Sequence, residues 1–217
     1  MCKILIGIPT VSNVDASFFA SILSMRYDDG NQYMTYVKSN SLIYNARREI
    51  AQEAIRAGTD YLMFIDSDMV CQSDTVKRMV AGIRGKDFLT SLYFRRRMPT
   101  KPLILKYLEW YQDETLGAQT YAETYEDYPR DSVFEVEGCG FGCCIMRTEI
   151  AKRMEIACKG NPWTPLPNLS EDFAFCWRAR QVEGIKLWCD SSIRPGHAGL
   201  HVYTQDDWIK QMEARRI

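Results

Sequence analysis

The chain is expected to fold as an α/β protein with a mostly parallel sheet, and three observations carry that expectation. Short apolar runs alternate with amphipathic helical patterns through residues 3–94. One of them, YLMFI at 61–65, is apolar without alternation, as a strand covered on both faces requires. Turn residues and helix-stop glycines separate the elements, and no repeat, low-complexity tract or linker interrupts them.

Taken in order, KILIGI at residues 3–8, closed by Pro9, forms the first strand. SNVDASFFASILSMRY has helical spacing with cap-type residues at its start. DDGN is a turn, and QYMTYVK alternates as a strand. SNSLIYNARREIAQEAIRAG is the clearest helix, with an apolar stripe of Leu42, Ile43, Ala46, Ile50, Ala54 and Ile55 and a stop at Gly58. YLMFIDSDMV, residues 61–70, runs an apolar strand straight into two carboxylates. SDTVKRMVAGIRG is a helix with Ser73 as its N-cap, and DFLTSLYF is the next strand.

The pattern then loosens. PLILKYLEW and SVFEVEG suggest strands, with a stretch rich in Tyr, Glu and Asp between them. GCCIMRTEIAKRME is a strand running into a helix capped at Thr148, NPWTPLPNL a proline-broken loop, and SEDFAFCWRARQVEG a helix with Ser170 at the cap and a stop at Gly184. IKLWCD is a last strand, and TQDDWIKQMEARR a terminal helix opened by a Thr204/Asp207 capping box. One domain covering residues 1–217 is expected.

At 217 residues, 46% hydrophobic and 25% charged, the chain is long and apolar enough to bury a core. A net charge of -1 argues against bulk attraction to nucleic acid or an anionic membrane, although Arg95, Arg96, Arg97 and Lys101 make one local basic patch. No apolar stretch approaches the roughly 20 residues that span a bilayer, and the N-terminus reads as a strand instead of a signal peptide. No integral membrane segment is therefore expected. The eight cysteines include no CxxC pair and no zinc-finger spacing, which favours free thiols in a reducing cytoplasm.

Asp66 and Asp68 stand where the third strand leaves the core. In an extended segment residues i and i+2 point to one side, so the two carboxylates are expected to converge. Like charges held together repel, and burying them without a partner is costly. A hard divalent cation, Mg²⁺ or Mn²⁺, relieves both penalties and is commonly shared with substrate phosphates. The competing reading is a turn in which one Asp caps the next helix, a position Ser73 already serves. Ligands of such sheets bind beyond the carboxyl ends of the strands, where both acids lie.

A strand ending in Asp-Ser-Asp after an alternating α/β half resembles the DxD motif of glycosyltransferases with the GT-A fold. EGCGFGCCIMRTEI, LSEDFAFCWRARQVEGIKLWCD and IRPGHAG extend the resemblance to family-2-type GT-A transferases, including short soluble versions from bacteria and their phages. It spans nearly the whole chain and is thinnest from Glu109 to Arg130. It implies a GT-A (Rossmann-like) mostly parallel sheet flanked by helices, with a small antiparallel addition in the C-terminal half. Residues 1–95 would be the nucleotide-binding half and 96–217 the acceptor-side half. The implied activity is metal-dependent transfer of a sugar from a nucleotide-diphosphate sugar, a UDP-sugar first, to an acceptor hydroxyl.

The resemblance also implies roles. Asp68 would bind Mn²⁺ or Mg²⁺ directly, Asp66 the metal or the ribose, and His197 would be a further metal ligand. Asp172, with Glu171 beside it, would be the base, and the sugar would invert. Pro9, Thr10 and Arg47 would face the nucleotide, and Ser67 and Gly140 would border the donor. Asn40 stands where related enzymes place an acid that reads the base, which leaves uridine or guanosine open.

Each of these residues has a plainer local explanation. Glu171 and Asp172 suit a helix dipole in the first turn of any helix, and a histidine after Pro-Gly is an ordinary loop residue. GCGFG precedes a strand instead of opening a helix, so it fails the dinucleotide-fingerprint test and marks close backbone approach. Trp163 either stacks on a sugar or anchors the core. FRRRMPTKP either covers a diphosphate or is, for the most part, solvated surface. Two other functions share the pattern: a sugar nucleotidyltransferase, and a catalytically silent nucleotide-sugar-binding module. The first wants a glycine-rich basic loop after the first strand, and IGIPTVSNVD has no glycine after Gly7 and no lysine. The acceptor stays open among a glycan, a protein side chain, a small molecule and a modified nucleobase.

Overall fold

The apolar runs become strands and the periodic segments become helices. The computed structural model describes residues 1–11, 14–28, 30–39, 41–199 and 202–214. Its first half runs β1 (Lys3–Pro9), α1 (Ala16–Leu23), β2 (Gln32–Lys38), α2 (Ile43–Arg56), β3 (Tyr61–Ile65), β4 (Met69–Val70), α3 (Thr75–Gly82) and β5 (Phe88–Ser91). The second runs β6 (Ile104–Asp113), β7 (Gly117–Thr124), β8 (Val133–Glu135), β9 (Gly138–Cys139), β10 (Cys143–Arg147), α4 (Thr148–Cys158), α5 (Glu171–Arg180), β11 (Leu187–Asp190), β12 (Gly196–His197) and α6 (Gln205–Ala214).

Seven strands share one sheet in the order β2-β1-β3-β10-β5-β11-β8. β1 is parallel to β2 and β3, and β5 is parallel to β11. β10 runs against both of its neighbours and β8 runs against β11, so five of the seven strands point one way. This is the mixed α/β architecture that the alternation predicts. β10 comes from the second half of the chain yet sits between β3 and β5, so both halves build the same sheet.

Burial explains the uninterrupted apolar runs. Leu62, Met63, Phe64 and Ile65 are 0% exposed because helices cover both faces. On one face α2, α4 and α5 bring Ile50, Ile150 and Phe175 against Leu5, Leu62 and Phe64. On the other, α1 and α3 bring Phe18, Val76 and Met79 against Ile4, Ile6 and Met63. Each such side chain contributes about 1.5–3 kcal/mol on leaving water. Gly7 lets α2 sit directly on β1, since a Cβ there would lie 2.2 Å from Ile50 Cγ2.

Some helix ends follow local chemistry, whereas α2, α3, α4 and α5 begin without a side-chain cap hydrogen bond, and the cap position of α4 is Arg147 instead of Thr148. Gly58, at φ +61°, takes the left-handed position that ends α2, and the Thr204 N–H donates to Asp207 Oδ2 at 2.7 Å ahead of α6. Ser73 does not cap α3: the cap position belongs to Asp74, and the Ser73 carbonyl accepts the Arg26 N–H at 2.7 Å instead.

The stretch least legible in sequence is a long hairpin. β6 pairs with β7 and, on its other edge, with β9, making a separate antiparallel sheet. Its turn is held by the Asp113 carboxylate, which accepts the N–H groups of Thr115 at 2.8 Å and Leu116 at 2.7 Å. A third small sheet joins β12 to β4 antiparallel. No helix among the described residues is long and apolar enough to cross a membrane.

Trp163 proves to be a core residue. It is fully buried, stacked on Phe175 with centroids 4.8 Å apart and edge-on to Phe64 at 5.9 Å. Trp163→Ala is therefore expected to cost about 3–5 kcal/mol in urea unfolding, with Trp163→Phe losing less. A near-neutral Trp163→Ala would contradict this placement.

Candidate functional site

A cavity of about 350 Å³ opens beyond the carboxyl ends of β1 and β3. Pro9 and Thr10 line it from the end of β1, Arg47 from α2, and Asp66, Ser67 and Asp68 from the turn after β3. Tyr93 and Arg96 reach it from beyond β5, Glu171 and Asp172 from the first turn of α5, and His197 from β12. Nearly all the residues singled out in sequence thus share one wall. Gly140 stands just behind it, and Asn40 lies outside the described residues.

The geometry of the acidic pair differs from the extended one expected. Met69 N–H donates to the Asp66 carbonyl at 3.0 Å, so residues 66–69 form a turn and the two carboxylates take different partners. Asp66 accepts from Arg47 through both oxygens, at 2.9 and 3.0 Å. Arg47 is 2% exposed, lies 3.7 Å from Glu171 and sits against the rings of Phe64 and Phe141. Arg47 is therefore a buried brace instead of an open cation awaiting a nucleotide, and the Asp66 carboxylate is occupied by it. The reason is physical: a desolvated guanidinium requires a fixed countercharge. Burial opposes the Arg47 charge, but the Asp66 carboxylate outweighs it and holds the guanidinium protonated well beyond its ordinary range.

Asp68 faces the other way. Its Oδ2 lies 2.8 Å from Arg96 Nη1, while its Oδ1 is 3.6 Å from His197 Nε2, too far for a hydrogen bond. That oxygen is buried and has no hydrogen-bond partner. His197 Nδ1 is 2.8 Å from the Phe94 carbonyl oxygen. A carbonyl only accepts, so Nδ1 carries a proton and Nε2 is the nitrogen turned to Asp68. The β12–β4 pairing brings this late histidine to the turn, with Ala198 N–H donating to the Asp68 carbonyl at 2.7 Å.

A buried carboxylate oxygen without a partner, facing an imidazole whose other nitrogen is anchored on a carbonyl, fits a divalent cation. Among the described residues, no group of three or more His, Cys, Asp or Glu side chains closes on one point as a metal site would. Burial would raise the Asp68 carboxyl, but the approach of His197 and the charge of Arg96 hold it below its ordinary value. Glu171 is raised, by burial first and then by neighbouring Asp172.

Of two further contributors, Arg96 was read only as part of a basic run, and Tyr93 escaped the sequence reading. Arg96, part of the basic run, is half-exposed and pairs with Asp68. Tyr93 is 3% exposed, and its hydroxyl oxygen accepts the Gly142 N–H at 2.8 Å. A Cβ on Gly140 would lie 2.0 Å from that oxygen and one on Gly142 would lie 2.9 Å from the ring, so these two glycines of GCGFG admit Tyr93. The glycines were legible in the sequence; their partner, some fifty residues away, carried no local signal. Burial, with Asp172 and Asp66 nearby, pushes the Tyr93 hydroxyl well above its ordinary range.

Asp172 is oriented by its own helix start: Ser170 donates its hydroxyl to Asp172 Oδ1, and Phe173 N–H donates to the same oxygen at 2.9 Å. Oδ2 is the oxygen turned toward Gly140.

No protein-family model matches this chain, and no curated protein does. Solved structures do. The crystal structure of A197 from STIV aligns over 91% of this chain and 86% of its own, with a TM-score of 0.55 and 19% identity. CMP:2-keto-3-deoxy-manno-octonic acid synthetase complexed with CTP aligns over 99% of this chain and 100% of its own, with a TM-score of 0.49 and 12% identity. The likeness to A197 is one of fold.

Removing Arg47 leaves Asp66 and Glu171 buried without their cation. Arg47→Met is expected to cost about 3–5 kcal/mol near neutral pH. Burial already lifts both carboxyls above their ordinary values. A group whose folded pKa is raised stabilises the fold below its unfolded pKa and loses that contribution as pH rises. The variant's deficit should therefore shrink between about pH 7 and about pH 4.5 in urea titrations. A deficit that widens on acidification would contradict the assignment.

Proposed function

We propose that this chain is a metal-dependent glycosyltransferase, an enzyme that moves a sugar from a nucleotide-diphosphate sugar to an acceptor hydroxyl with inversion. A UDP-sugar is the first donor to consider. The observation that supports this reading is the meeting in one cavity of the strand-end turns, the Asp68–His197 pair and the acids that open α5. Open α/β sheets bind their ligands at such strand ends.

Asp68, whose Oδ1 has no hydrogen-bond partner, and His197 would hold Mn²⁺ or Mg²⁺. When bound, the cation neutralises charge on the diphosphate leaving group. The remaining work falls to the protein. The turn residues Pro9, Thr10 and Ser67 border the space for the nucleotide, and Arg96 stands ready to meet phosphate charge. Asp172, steered by Ser170 and Phe173, takes the acceptor's proton. The acceptor oxygen bonds to the anomeric carbon as the bond from that carbon to the diphosphate oxygen breaks. The electron pair departs with the nucleoside diphosphate. Arg47, Asp66 and Glu171 form a fixed polar floor beneath these groups.

The test separates binding from chemistry. Calorimetry with UDP and UDP-sugars is expected to show affinity that requires Mn²⁺ and disappears in Asp68→Ala. Asp172→Asn should retain that affinity and lose about 10²–10⁴-fold in nucleoside diphosphate release. Affinity that survives chelation unchanged would refute the metal-bridged reading.

A further inference from the structure

We infer that the acceptor carries a phosphate group, held by a second cavity beside the first; the inference rests on the transfer reading above. This cavity has a volume of about 630 Å³ and is lined by Arg95, Arg96, Arg97, Leu103, Phe173 and His197, with Gly199 at its edge. Arg96, Leu103 and His197 belong to both cavities, and Phe173 directly follows Asp172. A molecule seated here lies next to the carboxylate that takes the acceptor's proton.

The charge of this wall is one-sided. Its lining holds three guanidinium groups and no carboxylate. Arg96 is paired with Asp68 at 2.8 Å, but among the described residues Arg95 and Arg97 form no ion pair. Glu126, the acid that acts on Arg95, is bound to Lys101 at 2.6 Å. Burial, and then the charge of Arg97, hold the Arg95 guanidinium below its ordinary range. Two like charges brought together without a counterion are destabilising until an anion neutralises them.

The loop that carries the arginines is anchored at both ends. Arg95 N–H donates to the Lys101 carbonyl at 3.0 Å, and the Thr100 hydroxyl donates to the Arg95 carbonyl at 2.9 Å. Thr100 is completely buried, and Gln211 of α6 grips its backbone, accepting the N–H at 2.8 Å and donating to the carbonyl at 3.1 Å. Phe94 and Pro102 close the loop as a bridge. A merely solvated run of arginines needs no such anchoring. Guanidinium forks on a fixed backbone suit the oxygens of a phosphate. Leu103 and Phe173 supply an apolar patch for the body of the acceptor. A neutral glycan would leave both unpaired guanidiniums at its edge.

The competing use of these arginines is to clasp the donor's own diphosphate, and the experiment separates the two. The full chain is titrated with glycerol 3-phosphate and with glycerol, alone and after saturation with UDP and Mn²⁺. Glycerol 3-phosphate should bind the UDP-loaded protein and weaken with added salt, whereas glycerol should not bind. Arg97→Gln, and the double change Arg95→Gln with Arg97→Gln, should weaken glycerol 3-phosphate by about tenfold or more, with UDP affinity altered by less than about twofold. Arg97 is exposed, so the single variant reports even where the double one folds poorly. Three results would overturn the inference: no glycerol 3-phosphate binding up to about 10 mM, competition between it and UDP, or equal loss of both in the variants. Intact UDP binding without glycerol 3-phosphate binding removes the inference and leaves the transfer reading standing. Arg97-dependent glycerol 3-phosphate binding in a chain that fails to bind UDP keeps the phosphate site and removes the transfer reading.

Discussion

A buried guanidinium organises this end of the molecule. Arg47 projects from α2 near the carboxyl ends of β1 and β3 and joins, through one planar fork, the turn after β3 and the first residue of α5. Three elements far apart in sequence are thereby tied at one point. The fork satisfies Asp66 completely, but Arg47 Nε has no partner, and the rings of Phe64 and Phe141 enclose the rest. Such a pair adds little net stability compared with apolar packing, yet breaking it is costly. Its effect is to fix the position of the backbone around it.

That constraint divides the two aspartates. Because Asp66 is committed to Arg47, the turn carries Asp68 toward β12, where His197 and Arg96 meet it. The Asp68 carboxylate has one oxygen on a half-exposed arginine and one that is buried without a hydrogen bond. Asp66 sets the frame, and Asp68 lines the cavity with one carboxylate oxygen left without a hydrogen bond.

The glycines and Tyr93 serve the same end by different physics. Gly140 and Gly142 lack the atoms that would collide with the Tyr93 ring, so the phenol sits flush against the backbone between β9 and β10. Its edge meets the His197 ring with centroids 5.4 Å apart. The imidazole is thus gripped by an aromatic side chain and by the Phe94 carbonyl. An imidazole held from two sides has little orientational freedom left.

How much of this could be read from the residues alone depends on how local each cause is. Strands such as YLMFI, the α2 stripe with its Gly58 stop and the Thr204/Asp207 box are set by neighbours within a few positions, so the sequence by itself determined them. The residue types gathered in the cavity were legible for a similar reason, because acids at a strand end and at a helix start stand out against their surroundings. What only the tertiary structure decided was pairing. The insertion of β10 between β3 and β5, the capture of Asp66 by Arg47, the burial of Trp163 and the seating of Tyr93 on GCGFG each join residues from different elements, beyond the reach of local patterns. Periodicity and capping carry no information about such partners. They follow from close packing and from the need of a buried charge for a countercharge, which act only once the chain is folded.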